Sequence, residues 1–569
     1  MKYVLRAGMI LLCAWNSATA TLPYAGSLEI RGLDQLSAFI NEIRAEFGDP
    51  EDIDVAQQLA EMLGQPELPG VDRDGIFRID LFLVDGLDVE PAVRLHVPLL
   101  EGDDTFLDLL KEFWPQYVEV DQVLLLSASP AHPTPIPMPE LFVQVKPGAL
   151  LIANRAAVLP LTADSLDPLE GVWALTIQPT TLADAFLRQM KQQREMMESM
   201  FEHLSPEERA AMGIDLDQDA QHQEMAFAIF RAFRQLALSI DISPEALKIQ
   251  SLVRPTPNTP IAELAATLRT PSERFKSLFP ANALWGHVLH VNIPDSLIDL
   301  YLDFFQAFAD DIDDDGQTLA FLEQSLELFK GMYAGDIAMM ALPGSGEDRQ
   351  KVQIAQALRI SDVDAARAAL TTSMKLTQDH VEAMDGNADD VLTIMEPRMH
   401  RDIVIEGYSM DATLGDPDMA MLLGMHAPIF QEMDFEYAFV DDVMLSVMGT
   451  PQSMHDLIDR YLDGAIHITR FPTVQTLLPD LSDSFIELGF IQPVELLHLL
   501  HRMVPGLPME WLHELTDGQM AIAGYSRLLP DHAIHSVMHM DVHGLMEAIR
   551  AVQASFAPGA VPPMPEEEE

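Results

Sequence analysis

The residues best suited to chemistry by type and spacing are the carboxylates of Asp311-Ile312-Asp313-Asp314-Asp315-Gly316. Asp311, Asp313 and Asp315 followed by Gly316 fit the D-x-[DN]-x-[DN]-G opening of a calcium loop, in which alternate carboxylates and a turn glycine wrap a hard cation. The run lies between two amphipathic segments, 295–309 and 317–330, that read as helices. One position departs from the pattern. The twelfth residue, where a bidentate Glu closes such a loop, is Leu322, and Glu323 falls one residue late. The competing reading is an acidic helix–helix loop in which Asp315 or a neighbour caps the second helix. Asp215-Leu216-Asp217-Gln218-Asp219 repeats the alternation, with Ala220 where the glycine is needed. Calcium at Asp311, Asp313 and Asp315 is thus the one cofactor the sequence offers.

Histidines form the second cluster, at His532, His535, His539 and His543. On a strand, His535, His539, Asp541 and His543 share one face, because side chains alternate with period two. Neighbouring histidines there stand about 13 Å apart at roughly 3.3 Å per residue, too far to hold one ion without a bend. Met538 and Met540 bring Cu(I) to mind, since thioethers are soft ligands. With 32 methionines in the chain, however, such adjacency is expected by accident. Met190, Met196, Met197 and Met200 on a segment of helical period read as a core face or a partner-binding stripe.

Catalytic motifs are fragmentary. Gly407-Tyr408-Ser409 and Gly524-Tyr525-Ser526 start like a nucleophile elbow but lack its closing glycine, and both fall in expected strands. His400-Arg401-Asp402 has no D-F-G after it, and neither a phosphate-cradling G-x-x-x-x-G-K-[ST] nor an H-E-x-x-H is present. No catalytic residue is assigned.

The chain that positions these residues is extreme in charge. It has 34 Lys and Arg against 89 Asp and Glu, a net of −55, and losing Lys2 and Arg6 takes it to −57. Such a field repels nucleic acid and anionic lipid and favours cations, basic proteins or solubility in salt. Lys2 and Arg6, an apolar run from Ala7 to Trp15 and Ala18-Thr19-Ala20 make the tripartite secretory leader, so residues 1–20 read as a cleaved signal peptide and the protein as exported, periplasmic or extracellular. Cys13, preceded by Ile10-Leu11-Leu12, does not fit a lipid-anchor site; it is the sole cysteine, so the mature chain forms no disulfide. No other apolar run reaches the 18 or more residues of a span, so no membrane span is expected after cleavage. Residues 557–569, ending in four glutamates, read as a disordered acidic tail.

Strand-turn-helix units recur along the chain: 27–34 before helix 33–47, 92–98 before 104–114, 172–177 before a helix from 180, 286–292 before 295–309, 352–360 before Ser361-Asp362 and its helix, 484–490 before 493–503, and 533–540 before 542–554. Segments 76–84 and 91–98, 236–241 and 246–254, 334–342 and 352–360, and 518–526 and 533–540 read as antiparallel hairpins. Tyr117, Val120, Asp121, Val123, Leu125 and Pro130 are echoed by Tyr437, Val440, Asp441, Val443, Leu445 and Pro451. These observations predict an α+β protein in two duplicated halves, 21–270 and 271–556, each a largely antiparallel sheet with helices packed on one face. On the run Val120 to Pro130 and its echo at Val440-Asp441-Asp442, the chain resembles exported bacterial α+β repeat proteins of unknown function. That resemblance implies no activity and no site residues. Two functions are expected: a non-catalytic binding or envelope-associated protein with an unknown protein or small-molecule partner, or an enzyme with a cleft between the halves.

Overall fold

The computed structural model describes residues 23–46, 52–62, 65–83, 92–120, 122–127, 140–160, 169–201, 227–243, 246–307, 333–344, 352–383, 392–410, 433–482, 484–503, 520–542 and 544. The leader, the acidic tail, and the loops around Asp217 and around Asp311, Asp313 and Asp315 lie outside them. The chain divides into two compact units, residues 1–242 with 249–256 and residues 243–248 with 257–569.

Unit 1 is built on β1 (Tyr24–Arg31), β2 (Ile76–Phe82), β3 (Ala92–Pro98), β4 (Gln116–Val120), β5 (Val123–Ser127), β6 (Glu140–Lys146), β7 (Ala149–Ala153), β8 (Trp173–Ile177), β9 (Phe233–Ile242) and β10 (Ala246–Pro255), of which residues 246–248 belong to unit 2. Its strands lie side by side as β4-β5-β6-β7-β3-β2-β1-β8-β9-β10. Helices α1 (Leu33–Glu46) and α2 (Val55–Met62) place Leu33, Val55 and Ala56 against Ile30 and Phe77 of the sheet. In α3 (Thr105–Phe113), Phe106, Leu107, Leu109 and Leu110 are buried at helical spacing, and Trp114 closes that core. The helix starts where the Asp103 carboxylate accepts the Thr105 N–H at 2.8 Å. Helix α4 (Pro179–Phe201) follows β8. At Gly26 a side chain would meet the Thr176 carbonyl oxygen at 2.3 Å, so the β1–β8 contact requires glycine.

Unit 2 contains α5 (Pro260–Thr267), α6 (Glu273–Lys276), β11 (Trp285–Asn292), α7 (Asp295–Ala307), β12 (Tyr333–Pro343), β13 (Val352–Ile360), α8 (Val363–Ala383), β14 (Leu392–Ile394), β15 (Arg398–His400), β16 (Ile403–Met410), β17 (Met433–Val440), β18 (Val443–Met448), α9 (Pro451–Asp463), α10 (Pro472–Leu477), β19 (Glu487–Ile491), α11 (Pro493–Met503), β20 (Ile522–Leu528) and β21 (Ile534–Asp541). Strands β14 and β15 both pair with β16, and the order continues β17-β18-β13-β12-β11-β19-β20-β21. Its core is aromatic: Phe471 stacks on Phe490 at 4.0 Å between centroids and Phe279 meets Phe490 edge-on at 6.2 Å. Proline stands first in α5, α9 and α10, where its missing N–H costs no hydrogen bond.

This architecture corrects the expected fold class. The described residues are dominated by antiparallel sheet, 21 strands and 42% strand against 33% helix, and are not two duplicated α+β halves with helices packed on one face. Expectation allotted one hairpin to each helical unit. The chain instead adds β4 to β7 between β3 and β8, and β14 to β18 between β13 and β19, so strand pairing takes up sequence that had been read as helical units. The echoing stretches also occupy different places. The β4–β5 hairpin reaches β3 only through β6 and β7, leaving Tyr117 55% exposed, whereas β18 pairs with β13 directly and Tyr437 is 5% exposed. The same apolar alternation thus serves a sheet edge in one unit and a sheet interior in the other.

Candidate functional site

The sheet gives the expected histidine face a definite form. His535 and His539 lie on one face of β21, across from Arg527 and Ala523 of β20. His532 is exposed in the preceding turn with φ +59°, and His543 lies outside the described residues. Among the described residues no three His, Cys, Asp or Glu side chains come together as a metal ion would require. On α4, Met190 is half-buried and Met196 is exposed; the side chains of Met197 and Met200 lie outside the described set.

Ser526, from Gly524-Tyr525-Ser526, joins a chain of polar contacts that sequence reasoning missed. Its hydroxyl donates to Glu487 Oε2 at 2.7 Å, while His287 Nε2 meets Glu487 Oε1 at 2.7 Å. Serine, histidine and a carboxylate are therefore together, but both hydroxyl and imidazole are spent on the carboxylate. A general base must contact the hydroxyl whose proton it takes, so this order does not activate Ser526 as a nucleophile. The hydrogen bond from His287 holds Glu487 below the usual carboxylate range against the opposing effect of burial. Gly407-Tyr408-Ser409 sits on β16, with burial raising the Tyr408 hydroxyl to about 12.

His400-Arg401-Asp402 forms the turn between β15 and β16, with Arg401 and Asp402 at φ +49° and +63°. Its residues bind α9: His400 Nε2 meets Asp459 Oδ1 at 2.8 Å, and Arg401 bridges Asp459 and Asp463 at 2.8 and 2.7 Å. His400 stacks on His455 at 4.3 Å between centroids. Beside it Arg398 holds the buried Glu436 at 2.6 Å and contacts His455. These charges are matched within the hairpin and helix, which makes the cluster a clamp between two elements. Its signal in sequence is spacing: His455 and Asp459 stand four residues apart, on one face of a helix.

The other unspent feature is a sheet edge. β4 pairs with β5 alone, and all five of its residues are exposed. Tyr117, Val118 and Val120 are 55%, 59% and 60% exposed, on both faces of the strand. Val120 faces Val123 across a two-residue connection, so Val120, Val118 and Gln116 spend their backbone groups on β5, and those of Tyr117 and Glu119 point outward. An edge that is apolar and unpaired is a template for another strand.

No family model matches this chain, and neither a curated protein nor a solved structure shows significant similarity to it. Among the described residues no helix is long and apolar enough to cross a membrane.

Proposed function

We propose that this is an exported, non-catalytic binding protein, periplasmic or extracellular, that takes an extended basic segment of a partner protein as an added strand along β4. The exposed edge with Tyr117, Val118 and Val120 carries the reading. Main-chain bonds from Tyr117 and Glu119 supply affinity, and alternate side chains supply selectivity. Charge supports a basic occupant: the chain has 89 acidic against 34 basic residues, Glu119 lies in the strand itself, and a second copy of a −55 chain is repelled. Export rests on residues 1–20; N-terminal sequencing of the exported form is expected to read Thr21 first.

The test replaces Glu119 by proline. Proline removes one outward N–H and is tolerated on sheet edges, so the fold persists while the docking bond is lost. A photo-cross-linker at Val118 is expected to map to an extended, Lys- or Arg-rich stretch of the partner from the native envelope, and Glu119→Pro is expected to weaken that capture at least tenfold. Capture unchanged in Glu119→Pro, or a cross-link to a second copy of the chain, sinks the proposal.

A further inference from the structure

One face of unit 2 runs against the charge of the whole chain. Along β20 and β21, Arg527 faces His535, Tyr525 faces Val537 and Ala523 faces His539, so these side chains share one side of the sheet. Ala523 and Val537 are buried, which makes this the inward side. Arg527 lies over the Tyr525 ring at 4.9 Å from its centroid and donates to its hydroxyl. That contact leaves Arg527 Nε without a hydrogen-bond partner although it is buried, and His535 Nε2 is buried and unpartnered in the same way. Lys248, in the segment 243–248 of unit 2, adds a third cation whose charge bears on both His535 and His539.

Both imidazoles are held toward the neutral form. Burial is the first cause for each; Arg527 and Lys248 add to it at His535, and Lys248 adds to it at His539, where a backbone contact with Leu477 pulls the other way. Among the described residues no carboxylate bears on either ring. Asp541 follows His539 on the same face of β21 and stands two residues further on. Elsewhere the chain treats buried arginine differently: Arg94 binds Asp80 and Arg398 binds Glu436. In a sequence with 89 carboxylates, a buried guanidinium and imidazole whose free nitrogens meet no acid are the exception. An unmatched buried donor is costly, and the group that removes the cost is an anion.

We propose that the β20–β21 face bearing Arg527, His535 and His539, together with Lys248, is an oxyanion site that takes the carboxylate or phosphate group of a small molecule, with Arg527 Nε and His535 Nε2 as its two free donors. Planar guanidinium matches either oxyanion, and a neighbouring imidazole strengthens the grip as it gains a proton. The site lies in unit 2 and does not depend on the β4 edge of unit 1.

The test is imidazole NMR of the full chain, titrated with sodium phosphate and with sodium acetate, each against sodium chloride at matched ionic strength. A bound oxyanion favours the imidazolium, so the apparent pKa of His535 is expected to rise by about one unit as the site saturates, which is tenfold tighter binding to the protonated form. His532, exposed in the turn of the same hairpin, is the internal control and is expected to move no more in phosphate or acetate than in chloride. Arg527→Gln is expected to weaken binding at least tenfold, and Lys248→Gln, which keeps the β20–β21 pair intact, to weaken it less. A response to phosphate alone assigns a phosphate ligand, and one to acetate alone a carboxylate. Shifts that chloride reproduces, shifts that His532 shares, or an unchanged response in both variants overturn the site, because they are then ionic screening of a −55 chain.

Discussion

The central strands of unit 1 and unit 2 both bury carboxylates, and they answer them with different bases. In unit 1, Arg78 lies between Glu29 at 3.2 Å and Asp80 at 2.6 Å, and Arg94 takes the other oxygen of Asp80 at 2.6 Å. Arg94 also donates to the Val158 carbonyl at 3.0 Å, so its guanidinium is shared between a charge and a backbone turn. In unit 2 the partners are imidazoles: His287 meets Glu487 and His290 meets Asp336, each at 2.7 Å. A guanidinium keeps its charge at any pH a protein survives, whereas an imidazole bonds as a neutral N–H and gains charge only in mild acid. Burying a carboxylate in a strand therefore requires donors, and fixed positive charge is only one way to supply them.

The largest effect that tests this contrast is the loss of a charge from the arginine side. Asp80 and Arg94 are both buried, so Asp80→Ala leaves a guanidinium without its counter-charge, a change that costs about 3–5 kcal/mol. The denaturant midpoint of Asp80→Ala is expected to fall accordingly. Asp80→Leu combined with Arg94→Met, which removes both charges, is expected to recover most of that loss. A double variant no better than Asp80→Ala breaks the claim that the pair is matched charge and not shape.

A smaller effect separates the units by pH. His455 is held toward its neutral form by burial first, then by Arg398 and His400, with Glu436 and Asp459 pulling the other way. An unfolded histidine titrates near 6.5. As pH falls through that value the unfolded chain takes up a proton that the folded site refuses, so protons favour unfolding and stability declines. His535 and His539 are lowered in the same sense. The slope of stability between pH 7 and 5 is expected to be shallower in His455→Gln than in the parent. An identical slope removes His455 as a contributor.

Much of the local structure was legible. Strands 92–98 and 352–360 and helix 493–503 stand where period two, period 3.6 and the junction prolines placed them, and 76–84 with 91–98 does pair. Legibility failed where pairing is long-range. Nothing near Ser27 announces that Thr176 will lie beside it, and neither β4 nor β17 states in its residues whether it ends a sheet or fills one. Tyr117 and Tyr437 were matched on side-chain type, although neighbours supplied from elsewhere decide that one is exposed and the other buried. The orphan nitrogens of Arg527 and His535 were unreadable for the same reason: satisfaction depends on what crosses the strand. Only the alternation that sets His535 and His539 on one face could be read in advance.

The smallest effect is the sharpest test of the histidine side. Glu487 is held low chiefly by the His287 hydrogen bond, with burial opposing and Ser526 assisting. A carboxylate whose folded pKa is depressed contributes stability above its ordinary range, and that contribution is lost as pH falls through the folded value. In Glu487→Gln the amide oxygen still accepts one bond, and its NH2 turns toward a hydroxyl that can rotate, since Ser526 also lies 2.8 Å from Ser536. The Glu487 side chain is 43% exposed, so the loss at pH 7 is expected to stay under about 1 kcal/mol. At pH 4 the other carboxylates also begin to protonate and the self-repulsion of the chain falls, which moves parent and variant together. The difference between them is what isolates Glu487, and it is expected to shrink in acid as the parent's carboxylate takes up its proton. A difference that stays constant from pH 7 to pH 4 means that shape holds β19 to its neighbours there, and that the imidazole partners of unit 2 do not answer charge as the guanidinium partners of unit 1 do.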